Sequence, residues 1–217
     1  MPLTDQPRIS FGREPFNGYS HLIGAAAAVV GGVILLRQAQ GNALLLVACA
    51  IYGVSLFLAF FSSALFHLVG GPQDLTRRLR DFDHHCIRGL IVGTYAPLAV
   101  IMLPVAWALF AWVSMVAILA SNAVVMSRKR GEISRSKKAA WYSGIATLSL
   151  LAVPFCWADF WQPILWTSFG SLFYIAGAVC YVRKFPRGKN RLNFHEVWHI
   201  CVMIGAFVHY QVILRLV

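Results

Sequence analysis

The chain has 217 residues, 59% of them hydrophobic and only 12% charged, with a formal net charge of +11. Charged residues stand at about half their usual share in soluble proteins. That excludes a soluble domain, and with it the nucleic-acid partner that so basic a soluble protein would suggest. One integral membrane domain over residues 1–217 is expected, because apolar stretches recur along the whole length.

Residues 1–16 are polar, and no cleavable-signal pattern precedes the first apolar run. A span needs about 20 apolar residues. Seven are predicted, at 18–36, 43–67, 86–104, 106–126, 140–158, 163–182 and 194–216, which makes the fold an all-α seven-transmembrane-helix bundle. Gly41-Asn42, Pro104 and Pro163 mark turns between spans. Pro97 and Pro154 fall inside spans, where membrane helices tolerate proline. Of the 19 Lys and Arg, 17 flank the same ends of these spans; only Arg37 and Arg215 fall on the other side. The positive-inside rule then predicts a cytoplasmic N-terminus and a C-terminus outside. The basic run from Ser127 to Lys138 reads as an orientation signal, with contact to anionic headgroups as the other reading. Five scattered cysteines without a CxxC read as small buried hydrophobes. Trp107, Trp112, Trp141, Trp157, Trp161 and Trp166 lie near span ends and read as an aromatic belt.

The last span opens with His195-Glu196-Val197-Trp198-His199. Histidines at i and i+4 share a helix face and can reach one metal ion, and imidazole suits Zn²⁺. The pattern matches H-E-x-x-H, in which the Glu is the general base of metalloproteases. This helix, however, runs on as apolar sequence. With the predicted topology, span 2 ends on the same side with Ser63 and His67, again i and i+4. Span 3 begins there, just after Asp83, His84 and His85. Histidines and acids at membrane depth are costly and usually mark function. A third imidazole from His67 would complete a His₃ zinc site with an open fourth position. The plainer alternative is interhelical hydrogen bonding that glues the bundle. His209, about 21 Å along the helix from His195, cannot join the same site.

Several motifs now fall in order. They are Glu14-Pro15-Phe16-Asn17-Gly18-Tyr19-Ser20-His21 before and into span 1, and Ser63-Ala64-Leu65-Phe66-His67 ending span 2. Asp83-His84-His85-Cys86-Ile87 and Gly93-Thr94-Tyr95-Ala96-Pro97 follow in span 3, and His195 to His199 opens span 7. Together they resemble the hemolysin III family, within the progestin and adiponectin receptor group of seven-helix membrane proteins. The resemblance covers almost the whole chain. It implies Zn²⁺ held by His67, His195 and His199, with a zinc-bound water near Asp83 and Ser63 as the catalytic pair. It favours Asp83 over Glu196 as base, since related receptors can carry Gln at the latter position. Glu196 is then a supporting partner or simply a favourable charge in the helix's first turn. Asn17 and His21 match the family's opening, where a structural hydrogen bond is expected. His84 and His85 are candidate supports for the ligands or exposed interface residues.

The expected function is a zinc-dependent, ceramidase-like membrane hydrolase of lipid amide or ester bonds, with membrane lipids as partners. The alternatives are a pore-forming cytolysin and a zinc-bearing receptor or regulator of membrane lipid state. A bacterial plasma (inner) membrane is the expected location. Polar residues gathered at one end of the bundle speak against a simple pore.

Overall fold

The computed structural model describes residues 9–128, 137, 144, 153–187 and 193–217. Six helices among them are long and apolar enough to cross a membrane. They are α1 (Pro15–Gln38), α2 (Ala43–Leu68), α3 (Gln73–Met102), α4 (Val105–Arg128), α5 (Val153–Arg183) and α6 (Phe194–Leu216). The protein is therefore an integral membrane protein, all-helical apart from one two-residue ladder among the described residues. The span expected at 140–158 lies outside the described residues except for its last turns, which open α5.

Hydropathy windows misjudge two boundaries. The third helix starts at Gln73, right after Pro72, not near residue 86. No helix breaker stands between residues 73 and 86, so the backbone continues; a hydropathy window sees only the apolar part. At about 1.5 Å per residue, α3 is long enough to project beyond a hydrocarbon core of about 30 Å. The break expected at Pro163 instead falls at Phe160, whose φ of −127° and ψ of 25° interrupt α5. A proline ring clashes with the carbonyl four residues back and leaves it without a donor, so the helix deforms in the turn before the proline.

Helix ends follow local chemistry. Asn42 caps α2 by accepting from Leu45 N at 3.1 Å, after Gly41 takes the left-handed turn conformation at φ +96°. Residues Asn193 and Glu196 close a reciprocal capping box at the start of α6. Small residues set the packing of α1 on α2. A Cβ added at Gly53 would stand only 3.3 Å from Gly32 Cα, and such close approach is how membrane helices gain van der Waals contact. Ties across helices include Tyr210 Oη donating to Gly31 O at 3.2 Å and Trp112 Nε1 donating to Val92 O at 3.1 Å. Trp112 thus stitches α4 to α3; Trp107, Trp157, Trp161 and Trp166 are exposed, and Trp141 lies outside the described residues. The cysteines are free, three of them buried and two half-buried.

The last turn of any helix leaves carbonyls without intrahelical donors. In α2 the segment before α1 supplies them. Gly12 N donates to Leu68 O at 2.8 Å and Glu14 N to His67 O at 2.9 Å. Arg13 Nη2 donates to Phe66 O at 2.8 Å and stacks over the Phe66 ring. Just beyond, β1 (Ser10–Phe11) pairs antiparallel with β2 (Val69–Gly70), in the register Ser10 to Gly70 and Phe11 to Val69. This strap pins the start of α1 to the end of α2, beside the start of α6.

Candidate metal centre

His67 comes from the last turn of α2, and His195 and His199 from the first two turns of α6. Their ligand nitrogens all lie within 4.8 Å of one another, close enough to hold a metal ion. Donors of a tetrahedral zinc site stand roughly 3.4 Å apart for bonds of about 2.1 Å, so a small contraction would complete the geometry. His67 and His199 are almost fully buried, at 1% and 3% exposure, and His195 is half-buried.

The outer ring nitrogens decide whether this cluster fits a metal or only glues helices. His67 Nδ1 lies 2.8 Å from Glu14 Oε2. His199 Nδ1 lies 2.7 Å from His21 Nε2. Each bond takes up Nδ1 of the ring and leaves Nε2 for an ion. His199 Nε2 is buried without a hydrogen-bond partner among the described residues. A buried imidazole nitrogen left unpaired is costly, whereas a metal ion would satisfy it. Two imidazoles anchored through Nδ1, with Nε2 free, are the arrangement that metal-ligating histidines take. The residues therefore fit a metal.

Glu14 is the residue that sequence reading missed. It occupies the N-cap position of α1 but makes no cap bond with its side chain. Its Oε2 instead meets His67 Nδ1, Asn17 Nδ2 at 3.2 Å and His195 Nδ1 at 3.7 Å. The carboxyl is held down at about 2, chiefly by the hydrogen bond with His67, with burial opposing. The available signal was the spacing of Glu14, Asn17 and His21. These positions, i, i+3 and i+7, share one helical face.

Ser63, one turn before His67 on α2, lies within side-chain hydrogen-bonding reach of Asp83 on α3. Asp83 is buried, and its Oδ1 has no partner among the described residues. The pair sits one helical turn deeper than His67. His84 is half-buried; its side chain leaves α3 about 100° around from that of Asp83. His85 faces outward and contacts Arg88, Nδ1 to Nη1 at 3.3 Å. Glu196 is engaged elsewhere: its Oε2 accepts from Asn193 N at 2.9 Å. The zincin analogy for Glu196 thus meets a carboxylate already committed to starting the helix, as a capping box requires. His209 is buried far along α6, bonded to Gly205 O at 2.7 Å, outside the cluster.

Comparison with known proteins agrees in extent with these motifs. A family model described as haemolysin-III related matches residues 9–210. The chain is also 29% identical over 204 residues to the protein named Hemolysin-3 of Bacillus cereus, covering 89% of this chain and 86% of the relative.

Proposed function

We propose, for a chain that belongs to the haemolysin-III related family, that it is a zinc-dependent membrane hydrolase acting on lipid amide or ester bonds. The observation that carries this reading is the three-histidine cluster whose outer nitrogens are tied back while His199 Nε2 is left unpaired. His67, His195 and His199 would hold the ion, leaving the fourth position open as catalytic sites do. The chemistry a bound zinc ion supplies is Lewis acidity toward a carbonyl and toward water.

The chain's own groups carry the rest. Asp83 takes the proton from the attacking water and returns it to the leaving group. Its free Oδ1 suits that role, and Ser63 holds the carboxylate in place. Low dielectric around the buried pair strengthens each of these contacts. A lipid substrate would lie with its acyl chain along the apolar bundle and present its carbonyl to the histidines. On the positive-inside reading this end of the bundle faces the cytoplasm and the C-terminus lies outside, the span expected at 140–158 being counted as the seventh.

The test is turnover of a fluorescent N-acyl lipid amide by purified protein in nanodiscs, with zinc content measured on the same sample. Hydrolysis that disappears on chelation and returns with Zn²⁺ supports the reading. Zinc-loaded protein with no turnover of amide or ester substrates would favour a zinc-bearing receptor instead. The relative's printed name points to a cytolysin as a second reading. Dye release from sealed vesicles by the purified protein, without lipid hydrolysis, would favour that one.

A further inference from the structure

The first helix donates no ligand to the three-histidine group, yet it touches the ligands at two places. Glu14 reaches His67, and His21 reaches His199. Asn17 lies between them on the same face and donates through Nδ2 to Glu14. Asn17 and His21 are among the most buried polar residues of the protein, at 2% and 4% exposure. Such groups are costly in a membrane core unless their bonds are made.

The senses of these bonds can be worked out atom by atom. A ligand histidine gives its lone pair at Nε2 to the metal, so its neutral ring carries the proton on Nδ1. His67 Nδ1 then donates to the Glu14 carboxylate, which only accepts. His199 Nδ1 donates to His21 Nε2. His21 must therefore accept at Nε2 and carry its own proton on Nδ1. Asn17 Nδ2 donates to Glu14, so its Oδ1 is the acceptor that points elsewhere. His21 Nδ1 and Asn17 Oδ1 are both buried and without a partner among the described residues. They sit at i and i+4 on one face, a donor beside an acceptor, complementary in sense. No step in this sequence asks a donor to meet a donor.

We infer that Glu14, Asn17 and His21 form a positioning strip on α1 that fixes the ring orientation and tautomer of two metal ligands, His67 and His199. The inference rests on the metal reading above. The strap explains how the strip keeps its register: Glu14 N is bonded to His67 O, the backbone of the very residue its carboxylate orients. Glu14 stands at the end of α1 bonded into that strap, and His21 lies two turns along the helix. α1 thus braces one ligand from α2 and one from α6 at once. The same Glu14 oxygen stands 3.7 Å from His195 Nδ1, so the brace borders the third ligand as well.

Metal affinity of the full-length protein in detergent micelles tests this without any substrate. Metal-free protein is titrated with Co²⁺, read by its visible ligand-field absorption, and with Zn²⁺ in competition with a chelating dye. Partners that orient metal-ligating histidines typically contribute about 10- to 100-fold in affinity. Glu14→Ala and His21→Phe should each weaken Zn²⁺ binding by about that factor and shift the Co²⁺ bands. Glu14→Gln and His21→Gln keep an oxygen that can accept from the ligand's Nδ1–H, and should recover most of the loss. Ser20→Ala, which removes only a bond to Asn17 O, and His209→Ala, which disturbs a buried polar residue elsewhere, should leave affinity and spectrum unchanged. Circular dichroism and gel filtration show whether each variant is folded; if Glu14→Ala is not, Glu14→Gln against Glu14→Leu makes the same comparison. Native affinity and spectrum in both Glu14→Ala and His21→Phe would overturn the strip. So would glutamine variants as weak as the apolar ones, since the accepting oxygen would then be irrelevant. Native protein that binds neither metal overturns the metal reading and the strip together, whereas native binding with unaffected variants overturns the strip alone.

Discussion

Three buried histidines show how one residue type takes different roles through its partners. His67 and His199 spend Nδ1 on Glu14 and His21, which leaves Nε2 for an ion. His209 spends Nδ1 on Gly205 O, within its own helix, and packs against Gly170 and Tyr174. We therefore expect purified protein to carry about one Zn²⁺, as one His₃ site implies. His199→Ala should lose most of it by elemental analysis, while His209→Ala retains it and unfolds at lower temperature. Asp83 and Glu196 make the second contrast. Asp83→Asn is nearly isosteric; it should keep zinc but lose turnover by about 10²- to 10⁴-fold, the usual contribution of a general acid–base group. Glu196→Gln keeps the capping box and should reduce turnover by less than about tenfold, roughly 1.4 kcal/mol of barrier. A collapse of activity in Glu196→Gln with little change in Asp83→Asn would reverse the two roles. The H-E-x-x-H string could not tell these apart, because a Glu in the first turn suits both a cap and a base; the bond to Asn193 N shows Glu196 serving as part of the cap.

At the scale of elements, two devices aim the ligands. One is the capping box that starts α6 immediately before His195. Asn193→Ala removes it and should destabilise the protein by about 0.5–2 kcal/mol, seen as an earlier thermal unfolding transition of the detergent-solubilised protein. Zinc stoichiometry should be preserved, since the ligands themselves remain. The other is close packing of α6 on α5. A Cβ at Gly205 would stand 2.9 Å from the Tyr174 ring and 3.1 Å from Gly170 O, and part of that clash is with backbone. Gly205→Val should cost about 1–3 kcal/mol as an overpacked core does, and a melting temperature equal to the native one would mean that α5 and α6 pack more loosely than described. Glu196 in the first turn of α6 and a proline-linked break in α5 were legible as residue types, whereas the Asn193 cap was not read. Which residue the break would occupy was not legible, because the strain of Pro163 can be released anywhere in the preceding turn.

For the whole molecule, the basic residues make the strongest forecast. With 17 of 19 Lys and Arg on one side of the predicted spans, a topology reporter fused after Val217 should be active only outside, and one near Gly131 only inside. Both on one side would overturn the seven-span count and scatter the proposed site to opposite ends of the bundle. The sequence by itself determined the membrane class, the apolar helices and the pairing of His195 with His199 on one face, while His67 joined them through the predicted topology and the family resemblance. The class, the helices and the His195–His199 pair follow from hydropathy over about 20 residues and from i, i+4 spacing, which are local quantities. Helix starts drifted where polar residues continue a helix beyond the apolar run, as at Gln73. Only the tertiary structure decided what holds the ligands: Glu14 meets His67 across 53 residues of chain and His21 meets His199 across 178. A hydrogen bond depends on angle and on a few tenths of an ångström, and no local pattern carries that information between segments so far apart.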